Sequence, residues 1–352
     1  MELLAFTVSP YRAALPGTVA PQVATSSPAQ PLKSPAVTTL AFGLLAARGR
    51  GAWRRCPTSR AQKLIACAGG DSFHSRPVPH GGPTVIISGG SQGVGRATAL
   101  NFARGGYNVV LAARNPEALS EAETLCREAM MPQRKVMSFG CDITSKESMK
   151  QLHERVVQHF SDIRVVVCNA GVCMTGEVMA TSLEDFQSQL DVNFLGHVST
   201  VQAFLPQLLK QAGQRGPAPT VCFVNSFGAR VPLPDMTAYC AAKYALQGFA
   251  DSLRIELSQK GVHVATVHPG VIRSDFRQRA QWRGSAADGR KSTMDSLLDS
   301  ESPVSGVVTQ SVEEVADATY EAITKQQTEV VVGTPFRTMI AAYGVGKAMG
   351  LA

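Results

Sequence analysis

From Pro83 onward, short apolar runs alternate with longer stretches whose apolar positions recur at helical spacing. "TVIIS" (84–88) is a β-branched run, followed by a glycine loop and the helical stretch "GRATALNFARGG". The pattern returns in "NVVLAA" (108–113), "KVMSFGCD", "RVVVCNAG", "TVCFVNS" (220–226) and "VHVATVHPG" (262–270). Between them, "PEALSEAETLCREAM" opens with proline and early acids, as helix starts prefer. "SKESMKQLHERVVQHF" places Met149, Leu152, Val156 and Phe160 on one face. Two helical stretches are predicted over about 182–212, and another from about 237 to 260. "SVEEVADATYEAI" (311–323) is a helix with acids in its first turn, and "TEVVVG" (328–333) a seventh strand. Near-continuous apolar strands that alternate with helices belong to a parallel sheet covered on both faces. The prediction is an α/β fold: one doubly wound domain over 83–345 with a mostly parallel seven-stranded sheet and helices on both faces.

Composition adds an address and removes some partners. Of the 352 residues, 17% are charged and 44% are hydrophobic, which suits a large core. No apolar run approaches the roughly eighteen residues of a spanning helix. The net charge of +7 resides in residues 1–80, which hold nine Lys/Arg against Glu2 and Asp71. The remainder is balanced, so a nucleic-acid partner is not expected. Residues 1–68, rich in Ala, Ser, Thr, Pro and Arg, read as a transit peptide, and 69–82 as a flexible linker. The expected destination is the chloroplast stroma, with the mitochondrion as the alternative. The eight cysteines form no CxxC pair, and the seven histidines show no ligand spacing, so no metal site is expected.

Chemistry concentrates in three places. "SGGSQGVGR" (Ser88–Arg96) lies between the first strand and first helix, with Gly89, Gly93 and Gly95 in a variant of the dinucleotide fingerprint. Such a loop turns tightly, lets backbone approach a pyrophosphate, and aims a helix N-terminus at it. The second strand ends in Arg114, where an NAD site usually has an acid, so a 2′-phosphate and hence NADP(H) is expected, with Arg96 as a second cation. In "TAYCAAKYAL" (237–246), Tyr239 and Lys243 stack one helical turn apart. Tyr244 lies about 100° round the helix and reads as packing. An ammonium beside Tyr239 lowers the phenol's pKa and fits it for proton exchange with a carbonyl or alcohol oxygen. Ser226, at the end of its strand, stands at the sheet edge where such folds bind ligands.

These motifs, in this order, resemble the short-chain dehydrogenase/reductase family: the glycine loop, Asp142, "NAG" at 169–171, Asn193, Ser226, Tyr239 with Lys243, and "PG" at 269–270. The likeness covers nearly all of 84–275 and implies a Rossmann fold. It implies that Tyr239 is the general acid/base, that Lys243 binds the nicotinamide ribose and lowers the tyrosine's pKa, that Ser226 positions the substrate oxygen, and that Asn193 holds a water joining the lysine to solvent. It also implies a cofactor site formed by Gly89, Ser91, Gly93, Gly95, Arg114, Asp142 at the adenine, Asn169, Ala170, Tyr239, Lys243, Ile272 and Ser274. Ser274 stands where the family often has threonine.

The implied reaction is NADPH-dependent reduction of a ketone or aldehyde, or its reverse. A lipid-pathway reductase of a long-chain or carrier-bound ketone (3-ketosphinganine or 3-oxoacyl type) is one alternative, and an NADP-binding redox-sensing or assembly protein another. The expected partners are a small carbonyl or alcohol, with a lipophilic one as an option, and further copies of the chain in a homodimer or homotetramer. The polar segment 273–306 reads as a solvated substrate lid. Its alternative is an anion-attracting cover using Arg273, Arg277, Arg279 and Arg283 near Trp282. The tail, 335–352, reads as packing on its own core or a subunit, with a membrane surface or lipophilic pocket as alternatives.

Overall fold

The computed structural model describes residues 81–274, 279–285, 287–289, 291–292 and 309–350, all within one unit, Phe73–Ala352. The segments expected to be transit peptide, most of the expected linker and much of the expected lid lie outside the described residues. The apolar runs form β1 (Thr84–Ser88), β2 (Asn108–Ala113), β3 (Val136–Gly140), β4 (Ile163–Cys168), β5 (Thr220–Val224), β6 (His263–His268) and β7 (Glu329–Val331). They pair in parallel, in the order β7-β6-β5-β4-β1-β2-β3. Ile86 lies beside Val110 on one side and Val166 on the other. This is the Rossmann arrangement expected from the sequence.

Alternation along the strands divides the core in two. Ile86, Val110, Val166, Val221 and Val264 face one side, where α3 (Lys146–His159), α5 (Gly196–Gln211) and α6 (Thr237–Leu257) bring Leu152, Phe204 and Leu246. Val85, Ile87, Leu111 and Val167 face the other, against α1 (Gly93–Arg104), α2 (Pro116–Ala129) and α7 (Val312–Thr324), which supply Phe102, Leu119 and Val315. Each such side chain, once removed from water, contributes about 1.5–3 kcal/mol. The order reverses at β1 and β4, and the cleft beyond their C-terminal ends is where such sheets take ligands.

Two elements depart from the pattern. The stretch from 182 to 212 is divided by a π-helical turn, Asp191–Leu195, between α4 (Leu183–Leu190) and α5. Helices of this kind are wound i→i+5, and they recur at functional sites. A reciprocal capping box between Ser182 and Asp185 starts α4. The tail forms α8 (Thr334–Ala348), although Gly344 and Gly346 each cost about 1 kcal/mol in a helix interior. Pro335 in its first turn favours the start. Only Phe336 of this helix is buried, so packing on the protein's own core is confined to one side.

Candidate active site

The cleft is built from the glycine loop upward. Ser88 ends β1 with its hydroxyl turned inward, donating to the Val167 carbonyl (3.3 Å) and accepting from the amides of Asn169 (3.0 Å) and Ala170 (3.2 Å). Asn169 spends its side-chain amide on the carbonyls of Ser88 and Gly89, both at 3.1 Å. It therefore braces the glycine loop from below, and Ala170 lies against the same loop. Gly89 has φ +66°, and a Cβ there would stand 2.8 Å from Ala170 Cα. A Cβ on Gly95 would stand 2.1 Å from the Gly89 carbonyl oxygen, so helix and strand meet with no room for a side chain.

The opposite side of the loop is open. A Cβ on Gly93 would meet nothing within 4 Å. Helix α1 starts there, and Gln92 makes no side-chain cap, so the first-turn amides keep no side-chain acceptor. Uncapped amides and a helix N-terminus beside open space fit a pyrophosphate. Ser91 is buried in the loop. Arg114 is exposed at the end of β2 and lines a recess of about 370 Å³ with Thr144, Gln187, Ser188 and Asp191. Asp142 accepts from the Thr144 amide (2.9 Å) and hydroxyl (2.8 Å). Burial raises its pKa, but those bonds and the nearby Arg114 guanidinium outweigh this and hold the carboxyl below its usual range. Arg96, expected as a second cation for the phosphate, is instead paired with Glu121 on α2 at 2.7 Å.

Strand β5 leads to Ser226, and α6 presents Tyr239 and Lys243 to it from one face, as the i, i+4 spacing requires. All three are buried. The Ser226 hydroxyl accepts from the Gly228 amide (3.0 Å) and hydrogen-bonds the Tyr239 hydroxyl. Lys243 Nζ lies 5.9 Å from the Tyr239 ring centre and donates to the Val224 carbonyl at 3.5 Å. Burial pushes the lysine from 10.5 down to about 8. The expected lowering of the tyrosine does not appear. Burial pushes its phenol up, Cys173 and Cys240 add to the rise, and only the Ser226 bond opposes it. Desolvation of the phenolate exceeds the help that a cation at this distance gives.

Asn193, in the π-helical turn, is fully enclosed. Its oxygen accepts from the Val172 amide (3.1 Å), and its nitrogen donates to the Val172 carbonyl (2.9 Å) and to Gln189 (3.1 Å). Its side chain thus fixes the loop after "NAG". A Cβ on Gly171 would stand 3.1 Å from Asn193 Oδ1 and 4.0 Å from Lys243 Nζ, so the glycine separates the two. Ile272 sits half-buried in a short strand paired with Thr309–Gln310, and Ser274 follows two residues on. Tyr244 does not pack as expected: it is 40% exposed on the outer side of α6.

Two parts of the site escaped the sequence reading. His268, wholly buried at the end of β6, approaches the Ser226 carbonyl through Nδ1 (2.9 Å) and Glu329 through Nε2 (3.3 Å). Hydrogen bonding to His268 holds the Glu329 carboxyl low, against its burial, with Arg230 helping from 3.3 Å. A polar residue just before "PG" was the available signal. In the lid, Gln281–Trp282 pair in parallel with Met174–Thr175, and Arg283 grips Asp185 with two bonds of 3.0 and 2.9 Å. That arginine, which the alternative reading of this segment would have gather toward an anion, is committed to α4, while Arg277 lies outside the described residues.

Residues 83–283 match the short chain dehydrogenase family, and the chain belongs to it. A relative from Drosophila melanogaster, "Dehydrogenase/reductase SDR family protein 7-like", is 30% identical over 200 residues, which is 56% of this chain and 60% of that protein. The match thus spans under two thirds of that relative's length. The "Putative oxidoreductase SadH" of Mycobacterium tuberculosis is 30% identical over 255 residues, or 72% of this chain and 86% of that protein. Among solved structures, a short chain dehydrogenase/reductase from Burkholderia phymatum in complex with NAD has a TM-score of 0.68 at 20% identity, covering 78% of this chain and 97% of its own. An alcohol dehydrogenase from Thermococcus sibiricus complexed with 5-hydroxy-NADP has a TM-score of 0.59 at 23% identity, covering 72% and 97%. At these identities the two structures establish the shared fold, and their ligands are both nicotinamide dinucleotides.

Proposed function

We propose that the protein is an NADPH-dependent carbonyl reductase in which Tyr239 is the general acid. The observation that carries this reading is the buried Ser226–Tyr239–Lys243 constellation at the C-terminal edge of the sheet, beside an uncapped helix N-terminus. A nicotinamide dinucleotide bound in the cleft supplies the hydride that a ketone or aldehyde carbon accepts. The chain's residues handle the accompanying proton. Ser226 offers a hydroxyl to the substrate oxygen, and Tyr239 gives that oxygen its proton, converting carbonyl to alcohol. A phenol held above its usual pKa is fully protonated at neutral pH, which is the state a proton donor needs. Lys243 keeps a cation beside the phenolate left behind, and in this reading it also holds the nicotinamide ribose. Run backwards, the same groups oxidise an alcohol.

Preference for NADPH rests on Arg114, the exposed cation at the end of β2 where an acid would hold an unphosphorylated ribose. Gly89, Gly93 and Gly95 would take the pyrophosphate, and Asp142 the adenine side. We assign the protein to the plastid stroma on the composition of residues 1–68, and NADPH supply there favours reduction. The test is nucleotide consumption by the full chain against a panel of small ketones, long-chain ketones and carrier-bound 3-oxoacyl groups. Arg114→Asp is expected to weaken NADPH binding by about tenfold to a hundredfold, the worth of one or two charge-assisted bonds, with little change for NADH. Fluorescence titration with both nucleotides checks this, and equal losses would reject Arg114 as the phosphate reader.

A further inference from the structure

His268 ends β6, and its imidazole is wholly buried behind Ser226. Its Nδ1 lies 2.9 Å from the Ser226 carbonyl oxygen, which also accepts from the Ala229 amide at 3.1 Å. A carbonyl oxygen can only accept, so Nδ1 carries a proton. On the far side of the ring, Nε2 lies 3.3 Å from Glu329 Oε1, at the start of β7. The same carboxylate oxygen stands 3.3 Å from Arg230 Nη1. Hydrogen bonding to His268, helped by Arg230 and by Arg254 from α6, holds this carboxyl below its usual range against its burial. Arg254 is itself matched by Asp251 at 2.7 Å. An ionised carboxylate accepts and cannot donate. A neutral ring would therefore turn a bare lone pair toward it. A ring with a proton on each nitrogen satisfies both neighbours at once.

We propose that His268 is a positioning residue: a buried imidazolium, paired with Glu329, that pins the Ser226 carbonyl and thereby aims the Ser226 hydroxyl. The proposal rests on the reading that this hydroxyl holds the substrate oxygen. The lever is short. The amides on either side of Ser226 are tied to the neighbouring strand, Asn225 to the Val267 carbonyl and Phe227 to the Pro269 carbonyl, both at 2.8 Å. The His268 ring adds a bond to the carbonyl of Ser226 itself. The hydroxyl of the same residue accepts from the Gly228 amide at 3.0 Å and bonds the Tyr239 hydroxyl. A charged donor makes a bond roughly twice as strong as a neutral one. Glu329 thus sets the charge of the ring, and through the ring it steadies the serine. Both residues act through Ser226.

The first test reads charge. In nitrogen NMR of the full chain carrying isotope-labelled histidine, His268 is identified by the signals lost in His268→Leu. At pH 7 it should show two protonated ring nitrogens. Glu329→Gln keeps the side chain's shape and removes its charge, so one ring nitrogen should lose its proton. In that variant the Gly228 amide should exchange its hydrogen about tenfold faster than in the parent at the same pH, as expected when one charge-assisted bond is lost. With a ketone that the parent reduces, kcat should fall by about tenfold while the nucleotide Kd is unchanged. The fall of kcat with rising pH should also begin at lower pH in Glu329→Gln, because the carboxylate favours the charged ring. His268→Gln offers a neutral N–H at every pH. It should recover activity over His268→Leu, and adding Glu329→Gln to it should no longer move the pH profile. A bare ring nitrogen on His268 in the parent at pH 7 would overturn the proposal. So would Glu329→Gln with the parent's kcat profile and Gly228 exchange. If no ketone is reduced, the reductase reading fails on its own, and the spectra with the Gly228 exchange still decide this one.

Discussion

Tyr239→Phe is expected to lower turnover by roughly 10²–10⁴-fold, the usual contribution of a positioned proton donor, while the protein folds and binds nucleotide as the parent does. The substitution removes one oxygen from a ring that is 8% exposed, and the ring itself continues to pack with Cys173 and Cys240. What disappears is the hydroxyl that Ser226 holds in place. The nucleotide contacts proposed at the glycine loop and Arg114 lie on other elements and are untouched. Single-turnover kinetics with saturating nucleotide separates chemistry from binding. Turnover within about threefold of the parent would sink the acid assignment, because no proton transfer contributing only that much fits a general acid.

Lys243→Met should raise stability by about 3 kcal/mol at neutral pH. That figure follows from a lysine at about 8 in the folded protein against 10.5 for the exposed side chain. The sign is worked out from proton counts. Below pH 8 the lysine is protonated in both states, and the folded state carries the full cost of a buried ammonium. Between about 8 and 10.5 the unfolded chain retains the proton that the folded chain has released, so this group's contribution rises with pH. The advantage of Lys243→Met is therefore largest at pH 7 and shrinks as pH climbs past 8. Urea denaturation of both proteins across that range measures it, and a difference that does not vary with pH would refute the account. Activity should fall in the same variant. A cation kept in the site at the expense of stability is what a functional role requires.

The strands and the order of their motifs were legible because they depend on local pattern. β1, β4 and β5 are buried on both faces, and their β-branched runs announce it. The Tyr239–Lys243 pairing was legible because four residues make nearly one helical turn. The pKa of Tyr239 was not: a neighbouring lysine is visible in the sequence, but desolvation is summed over everything that encloses the phenol. The π-helical turn at Asn193 was also hidden, since no residue type marks a one-residue widening. Arg96 looked free beside the glycine loop, and only the approach of α2 shows that Glu121 claims it. That the tail is a helix was not legible through its glycines. They lower helix propensity, yet the seat of Phe336 against Gly270 and Phe227 anchors the segment whatever its propensity.

The hydroxyl of Ser88 joins the end of β1 to the Asn169–Ala170 turn, and Asn169 returns two bonds to the same loop. The glycine loop and the Asn169–Ala170 turn are thus tied into one braced unit. On the proposed function, a nucleotide arriving there would meet a mould already held together, with little of its affinity diverted into assembling one.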